Sequence, residues 1–395
     1  MWTLETASLA LAAVLGAVTL RDHWTLSRAM RPRPLPPRLA RYPSISVIRP
    51  IKGRDPELAE NVRSGLEHGY PGEVESLFVF DDEHEYGIAI VEEVIAEYRE
   101  AGNSDRIEIL ICGPPPPDRT GKLNAMLLGV RRARGELIAF ADSDIRTDRD
   151  ALRILVETMF HSKGVGCTFA PAVVSERARS LGDAVCAMLL NGLYTPAAAR
   201  ETLSSDSELP FVLGQLMLFT RPVLDAIGGL ESLRGQLVDD LYIGVLVRRA
   251  GYRNVASSHP IRIIQYGLSP REALSRYTRW LTFSRTGIPQ WSFKRPIALR
   301  AILFWVGFGA MLGFALSVQW LPAAAFAALA TGVAASVNAL HNRTGCAPLR
   351  ARHWIASAVL ILLAPLLLAR VHLLQRRVEW RGRVYELDAN SRLAG

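Results

Sequence analysis

Asp142-Ser143-Asp144 closes an apolar run, residues 137–141, and sets two carboxylates one residue apart in a chain whose net charge is +8. Like charges at that separation repel, and both stay ionised most easily beside a cation. Mg²⁺ or Mn²⁺ takes one or two carboxylates and completes its shell with phosphate oxygens and waters. Asp142 and Asp144 are therefore a candidate divalent-metal site for a nucleoside-diphosphate substrate, although a turn capping the next helix has the same residues. Asp81-Asp82, with Glu83 and Glu85 behind, ends another apolar run. A carboxylate there suits hydrogen bonds to a base or ribose; a solvated acidic loop reads the same way. "RTGKLNAM", residues 119–126, is not a P-loop, since no glycine stands four residues before Thr120 and no hydroxyl follows Lys122. Lys122 in a first helical turn could still meet a phosphate. Asp239-Asp240 opens an amphipathic stretch, where one acid suffices to cap a helix, at about 1 kcal/mol, and the other is free for chemistry. Arg276 and Arg279 share a helical face beside Trp280, and an Arg pair suits a diphosphate, or a basic helix at a membrane surface.

These groups need a scaffold that brings strand ends together. Residues 44–51, 74–80, 106–112, 136–141 and 164–174 read as strands, and helical stretches at 55–68, 87–100, 121–133 and 148–160 alternate with them. Asp55 is expected to cap the first of these helices, with Pro56 in its first turn. Such alternation implies a mostly parallel sheet covered on both faces, with ligands bound beyond the carboxyl ends of its strands. Both acidic pairs, Asp81-Asp82 and Asp142–Asp144, fall there. Residues 181–235 are less regular and are expected to contain a substrate-facing segment.

Apolar residues make up 49% of the 395. Residues 6–20, 301–340 and 354–369 carry no charge. The middle run is about 60 Å long as a helix, or two crossings of a ~30 Å hydrocarbon core. Trp320 and Pro322 suit a hairpin at a membrane surface. No basic residue precedes the first run, and Arg21, Arg28, Arg31, Arg33, Arg38 and Arg41 follow it, which favours an uncleaved anchor with its arginines in the cytoplasm. The expected organisation is an anchor at 1–21, a Pro/Arg-rich linker at 22–43 that is not helical over 31–43, a cytosolic catalytic domain at 44–296, two or three membrane segments at 297–370, and a basic tail at 371–395. Four full crossings would leave that tail on the far side against the charge rule, so one C-terminal segment is expected to be re-entrant or interfacial. The basic balance sits beside apolar spans, where anionic lipid lies, and no nucleic-acid-binding pattern accompanies it. Cys112, Cys167, Cys186 and Cys346 are too widely spaced for a zinc site or a disulfide framework.

In order, "ISVIRPIKGRDPEL", an acid after the second strand, "GKLNAM", "ADSDIR", "GGL", "VDDLYIG", "RYTRW" and "VEWRGRVYEL" resemble the ceramide glucosyltransferases over about residues 44–388. The resemblance implies a GT-A (Rossmann-like) α/β domain with transmembrane helices. It implies an inverting, metal-dependent transfer of glucose from UDP-glucose to ceramide at a multi-pass membrane enzyme. Asp142 matches the family's first metal-site acid, while Asp144 stands where the family's Asp-Ser-Gly has glycine. Asp240 matches the catalytic base, and Arg276, Arg279 and Trp280 match the (Gln/Arg)-x-x-Arg-Trp motif. Lys122, Asp142 and Asp239 are assigned to the nucleotide-sugar, together with Asp82, which fits the strand end, or Glu85, which aligns with the family's aspartate. Thr195 replaces a family histidine. A sibling acting on a hopanoid polyol or diacylglycerol would carry nearly the same motifs.

Overall fold

The computed structural model describes residues 3–204, 208–286 and 291–394; residues 205–207 of the irregular stretch and 287–290 of the expected catalytic segment lie outside the described residues. The first apolar run forms α1, Leu4–Ala29. Residues 22–29, at the start of the expected linker, continue this helix, and the chain is non-helical over 31–43 as its prolines from Pro32 onward require.

Short apolar stretches rich in Ile, Val, Leu and Phe become β1 (Ile45–Pro50), β2 (Val74–Phe80), β3 (Arg106–Ile111) and β4 (Leu137–Ala141). They pair in parallel in the order β3-β2-β1-β4. Their crossovers are α2 (Leu58–Leu66), α3 (Gly87–Glu100) and α4 (Gly121–Arg132). Asp55 does not cap α2; that helix starts three residues later from Glu57 in a left-handed conformation (φ 52°), and the Asp55 carboxylate is used elsewhere. After β5 (Ile145–Arg146) and α5 (Ala151–His161), the stretch read as one strand divides. β6 (Val165–Phe169) joins the main sheet and β7 (Ala172–Val174) a small one, the break falling at Pro171, which has no N–H to continue a ladder.

The irregular region holds α6 (Leu181–Ala187), a π-helix (Met188–Tyr194), α7 (Thr195–Ser204), β8 (Leu216–Thr220) and α8 (Arg221–Ala226). β8 is a central strand, antiparallel to β4 on one side and to β6 on the other. Beyond it come α9 (Asp239–Arg249), β9 (Arg253–Ala256), β10 (Ile261–Ile263) and α10 (Pro270–Thr282). β9 pairs with β6 to complete a seven-stranded sheet that is parallel except at β8, and β10 lies between β5 and β7. Side-chain alternation covers both faces: Ile138, Phe140, Met217 and Phe219 pack with α4 and α9, while Leu137, Ala139, Leu216 and Leu218 pack with α5. The second cluster continues into the apolar helices through Leu303, Phe326, Val333 and Leu360.

Among the described residues, four helical segments are long and apolar enough to cross a membrane: α1, α11 (Trp291–Leu316), α12 (Trp320–Asn342) and Ala351–Leu373, which contains α13 (Ala356–Leu373). α1, α11 and α12 pack together, joined by a buried ion pair of 2.8 Å between Arg300 and Asp22. α13 packs against α11 and α12 and also along α10 and α6. Tyr277 donates its hydroxyl to the Leu360 carbonyl at 3.4 Å, and Arg285 reaches the Val371 carbonyl at 3.1 Å. The residues after α13, expected as a basic tail, form a hairpin of β11 (Arg377–Trp380) and β12 (Arg383–Glu386) folded back against the catalytic domain.

Candidate functional site

The ends of β1, β2 and β4, the starts of α4 and α9, one face of α10 and the C-terminal hairpin enclose a cavity of about 580 Å³. It lies beyond the carboxyl ends of the parallel strands, where a doubly covered sheet leaves backbone groups and loop side chains to meet a ligand. Asp142 and Asp144 line it, as do Lys122, Asp239, Asp240, Arg276, Arg279 and Trp280.

The acidic loop after β4 is clamped on every side. Asp142 donates its N–H to the Gln215 carbonyl at 2.8 Å, Ile264 donates to the Asp144 carbonyl at 2.8 Å, and buried Arg49 donates to the Asp142 carbonyl at 3.0 Å. Ser143 turns away and donates to Asp55 at 2.5 Å. The two aspartate side chains therefore point into the cavity together. Burial, and then the neighbouring Asp142 charge, raise Asp144 to about 6. Two carboxylates held side by side at a cavity, one of them with its proton affinity raised by burial and by the other's charge, fit a divalent cation. Among the described residues no cluster of three His, Cys, Asp or Glu groups forms, so such an ion would draw its remaining ligands from phosphate oxygens and water. Lys122, placed by the Thr120 cap at the start of α4, lies 2.6 Å from Asp142 and donates to the Gly214 carbonyl at 3.4 Å. Burial alone would lower its pKa, but Asp142, Asp239 and Asp240 outweigh burial and raise it, so the lysine is a fixed cation.

Gly214 also donates its N–H to Asp240 at 3.0 Å. Because β8 runs antiparallel to β4, the residues just before β8 sit beside the end of β4, and Gly214 thus links Lys122 to Asp240. A Cβ at Gly214 would lie 2.5 Å from that of Asp240. Neither Asp239 nor Asp240 is the cap of α9; Val238 holds that position, and the acids occupy the first two helical residues. Asp239 accepts from the Asp240 N–H at 3.0 Å and keeps one buried oxygen without a partner. Burial, followed by repulsion from Asp239, raises Asp240 to about 6, despite the opposing charge of Lys122.

α10 is fixed by a capping box between Ser269 and Glu272, with Pro270 in its first turn. Its buried Ala273 and Tyr277 face α6 and α13, which leaves Arg276, Arg279 and Trp280 on the cavity side. Arg276 donates to Gln265. Arg279 stacks over Trp380 at 5.1 Å, and burial, followed by repulsion from Arg276 and Arg381, lowers it to about 10. Trp280 stands 6.3 Å from Tyr194 of the π-helix. Thr195 donates to the Ala172 carbonyl at 3.2 Å.

A family model, Glycosyl transferase family 21, matches residues 4–393, nearly the whole chain. The chain belongs to this family. Among similar proteins, Ceramide glucosyltransferase 3 of Caenorhabditis elegans is 26% identical over 258 residues, which cover 65% of this chain and 53% of that protein. A ceramide glucosyltransferase of Candida albicans is 26% identical over 208 residues, covering 50% of this chain and 34% of that one. The chain thus spans about half the length, or less, of the curated relatives it matches. The mannosyltransferase PcManGT of Pyrobaculum calidifontis, solved with GDP-Man and Mn²⁺, superposes with a TM-score of 0.51 at 20% identity, over 92% of this chain and 99% of that one. That likeness establishes the GT-A fold for this member of family 21.

Two of the family-21 residues read from sequence lie apart from the cavity lining. Asp82 is exposed and accepts from the His84 N–H at 2.8 Å, and Glu85 pairs with Lys52 and accepts from the Gly53 N–H at 3.2 Å. The carboxylate that faces the cavity from β2 is Asp81, 3.4 Å from Lys52 and 2.6 Å from Arg383. Asp81 directly follows the last strand residue, Phe80, and is buried with it, and the chain turns outward at Asp82. The hairpin residues Trp380, Arg381, Arg383 and Tyr385 also line the cavity. Their sequence signal was the alternation in "VEWRGRVYEL" about a central Arg-Gly, the pattern of a two-residue hairpin turn.

Proposed function

We propose that this family-21 chain transfers glucose from UDP-glucose to the primary hydroxyl of ceramide, giving β-glucosylceramide and UDP. The supporting observation is a single cavity with a carboxylate pair on one wall, Asp240 on another, and a third wall, α10, whose opposite face is packed on an apolar helix. Asp142 and Asp144 are the residues that would hold Mg²⁺ or Mn²⁺. When bound, the ion offsets charge on the diphosphate leaving group. Asp81 with Lys52 forms the wall suited to the base and ribose, and Arg276 and Arg279 take diphosphate charge. Asp240 accepts the proton of the acceptor hydroxyl as that oxygen attacks the anomeric carbon from the face opposite UDP. Its pKa of about 6 leaves it ionised at neutral pH yet basic enough to share a proton in the transition state. Trp280 and Tyr194 offer aromatic surface for the sugar or the lipid head.

A two-tailed lipid can reach this cavity without leaving the bilayer if α1, α11 and α12 cross it and α13 lies along the domain at its surface. The Arg-rich flank of α1 then sets the catalytic domain on the cytoplasmic side. The test is to incubate detergent-purified protein with UDP-glucose and ceramide, diacylglycerol or a hopanoid polyol, and to identify the products by mass spectrometry and anomeric NMR. β-Glucosylceramide is expected. Transfer only to another of these lipids replaces the acceptor, and no transfer to any of them overturns the reading.

A further inference from the structure

The C-terminal hairpin turns inside the cavity, not at its rim. Trp380 pairs with Arg383, which leaves Arg381-Gly382 as a two-residue loop with φ 53° and 74°. Positive φ at both positions is tolerated by Asn-Gly or Gly-Gly and disfavoured for a long side chain. An arginine kept in such a position points to a role for its side chain. That side chain donates from Nη1 to Asp55 at 2.5 Å and to the Lys52 carbonyl at 3.1 Å, and Nη2 stands 4.0 Å from Asp144. The last distance is beyond hydrogen-bond range, so Nη2 faces the acidic loop with donors unspent. On the same hairpin, Trp380 carries the stacked Arg279, which among the described residues has no carboxylate within ion-pair reach. Arg276, Arg279 and Arg381 therefore converge on one part of the cavity with more positive charge than their protein partners neutralise. The hairpin is held there at several points. Gly121 donates to the Tyr385 hydroxyl at 3.2 Å, Leu393 to the Gly235 carbonyl at 2.9 Å, and Ser391 to the Thr282 carbonyl at 3.0 Å.

We propose that Arg381 is a diphosphate-binding residue of the donor site, delivered from the C-terminal hairpin to complete a three-arginine cradle with Arg276 and Arg279. The inference rests on the nucleoside-diphosphate donor proposed above and adds a ligand to it. A planar fork with one edge on Asp55 can present its other edge to phosphate oxygens, so the acid orients the guanidinium and the diphosphate occupies it.

The test compares binding of a nucleoside diphosphate with binding of the bare nucleoside, because only the former has a phosphate for Arg381 to hold. UDP and uridine, with GDP and guanosine in parallel, are titrated into the full-length protein in detergent with Mn²⁺ present, by calorimetry. For R381Q a loss of tenfold or more in UDP affinity is expected, with uridine affinity within twofold of wild type; R381K should fall between. Equal weakening of UDP and uridine would show that Arg381 only braces the wall, and unchanged UDP affinity would remove it from the site; either result overturns the proposal. Should R381Q lack a folded melting transition, R381K decides by the same comparison. A wild-type protein that prefers GDP revises the donor alone, and GDP against guanosine then judges Arg381. One that binds neither diphosphate overturns both readings.

Discussion

Asp240 has two hydrogen-bond donors, the Gly214 and Leu241 N–H groups, and one close like charge, Asp239. Asn in its place keeps an acceptor for the Gly214 N–H but takes up no proton at neutral pH. Asp240→Asn should therefore bind UDP as wild type does and lose ~10²–10⁴ in turnover, the usual cost of a missing general base. Turnover and UDP affinity measured on the same preparation check this; loss through weaker UDP binding would speak against a base. The raised value carries a sign. Below about pH 6 the carboxyl holds its proton, so kcat/KM should fall about tenfold per pH unit there, and the limb should vanish in Asp240→Asn. On the opposite wall, Asp144→Ala removes one of two candidate metal ligands. Mn²⁺ binding followed by electron paramagnetic resonance should weaken at least tenfold in the presence of UDP, independently of any turnover. Mn²⁺ binding equal to wild type would assign Asp144 another role.

Among the elements, β8 decides how the site is assembled. Its antiparallel course puts Gly214 between the acidic loop and α9, and the space there admits no side chain. Gly214→Ala forces Asp240 aside or shifts α9, at a cost of about 1–3 kcal/mol for overpacking. We expect turnover to fall more than tenfold, with the melting midpoint lowered by a few degrees. A large drop in melting with normal turnover of the folded fraction would mean that the segment yields and leaves Asp240 in place. The π-helix next to α6 is a second such element. Asn191 on it bonds both the N–H and the carbonyl of Val174 and also His341 of α12, tying the catalytic domain to the apolar helices.

For the molecule as a whole, the path of the chain constrains membrane topology. α11 leaves the catalytic domain and α12 returns to it, while α13 keeps contact with that domain from Leu360, which meets Tyr277 of α10, to Val371, which meets Arg285 in the turn after α10. The C-terminal hairpin then lies on the same side as the cavity. Single cysteines placed in a Cys112→Ser background at Ser317, in the α11–α12 turn, and at Arg377, in the exposed hairpin, test this in sealed inside-out bacterial vesicles. An impermeant maleimide should label position 377 and spare position 317. Equal labelling of both would mean that α11 and α12 do not cross.

The sequence alone determined the elements whose signals are local. β2 and α3 appear at the residues their patterning indicates, and the DxD loop follows β4, because alternation, apolar runs and helix stops depend only on near neighbours. Asp240, Arg276 and Arg279 are ordinary for a helix start and a helix face, and only their order among the other motifs singled them out. Tertiary structure decided the rest. β8 is a strand because it fills the slot between β4 and β6, where burial on both faces erases any alternation. Asp81, and not Asp82, faces the cavity because Lys52 and Arg383, both distant in sequence, hold it there before the chain turns outward. Asp55 leaves its expected cap for Ser143 and Arg381, since a charged guanidinium is a stronger partner than a helix N–H. The hairpin around Arg381 joins the site across more than two hundred residues of sequence from the acidic loop. No local pattern can encode a contact at that separation; it exists only once α13 has turned the chain back to the domain.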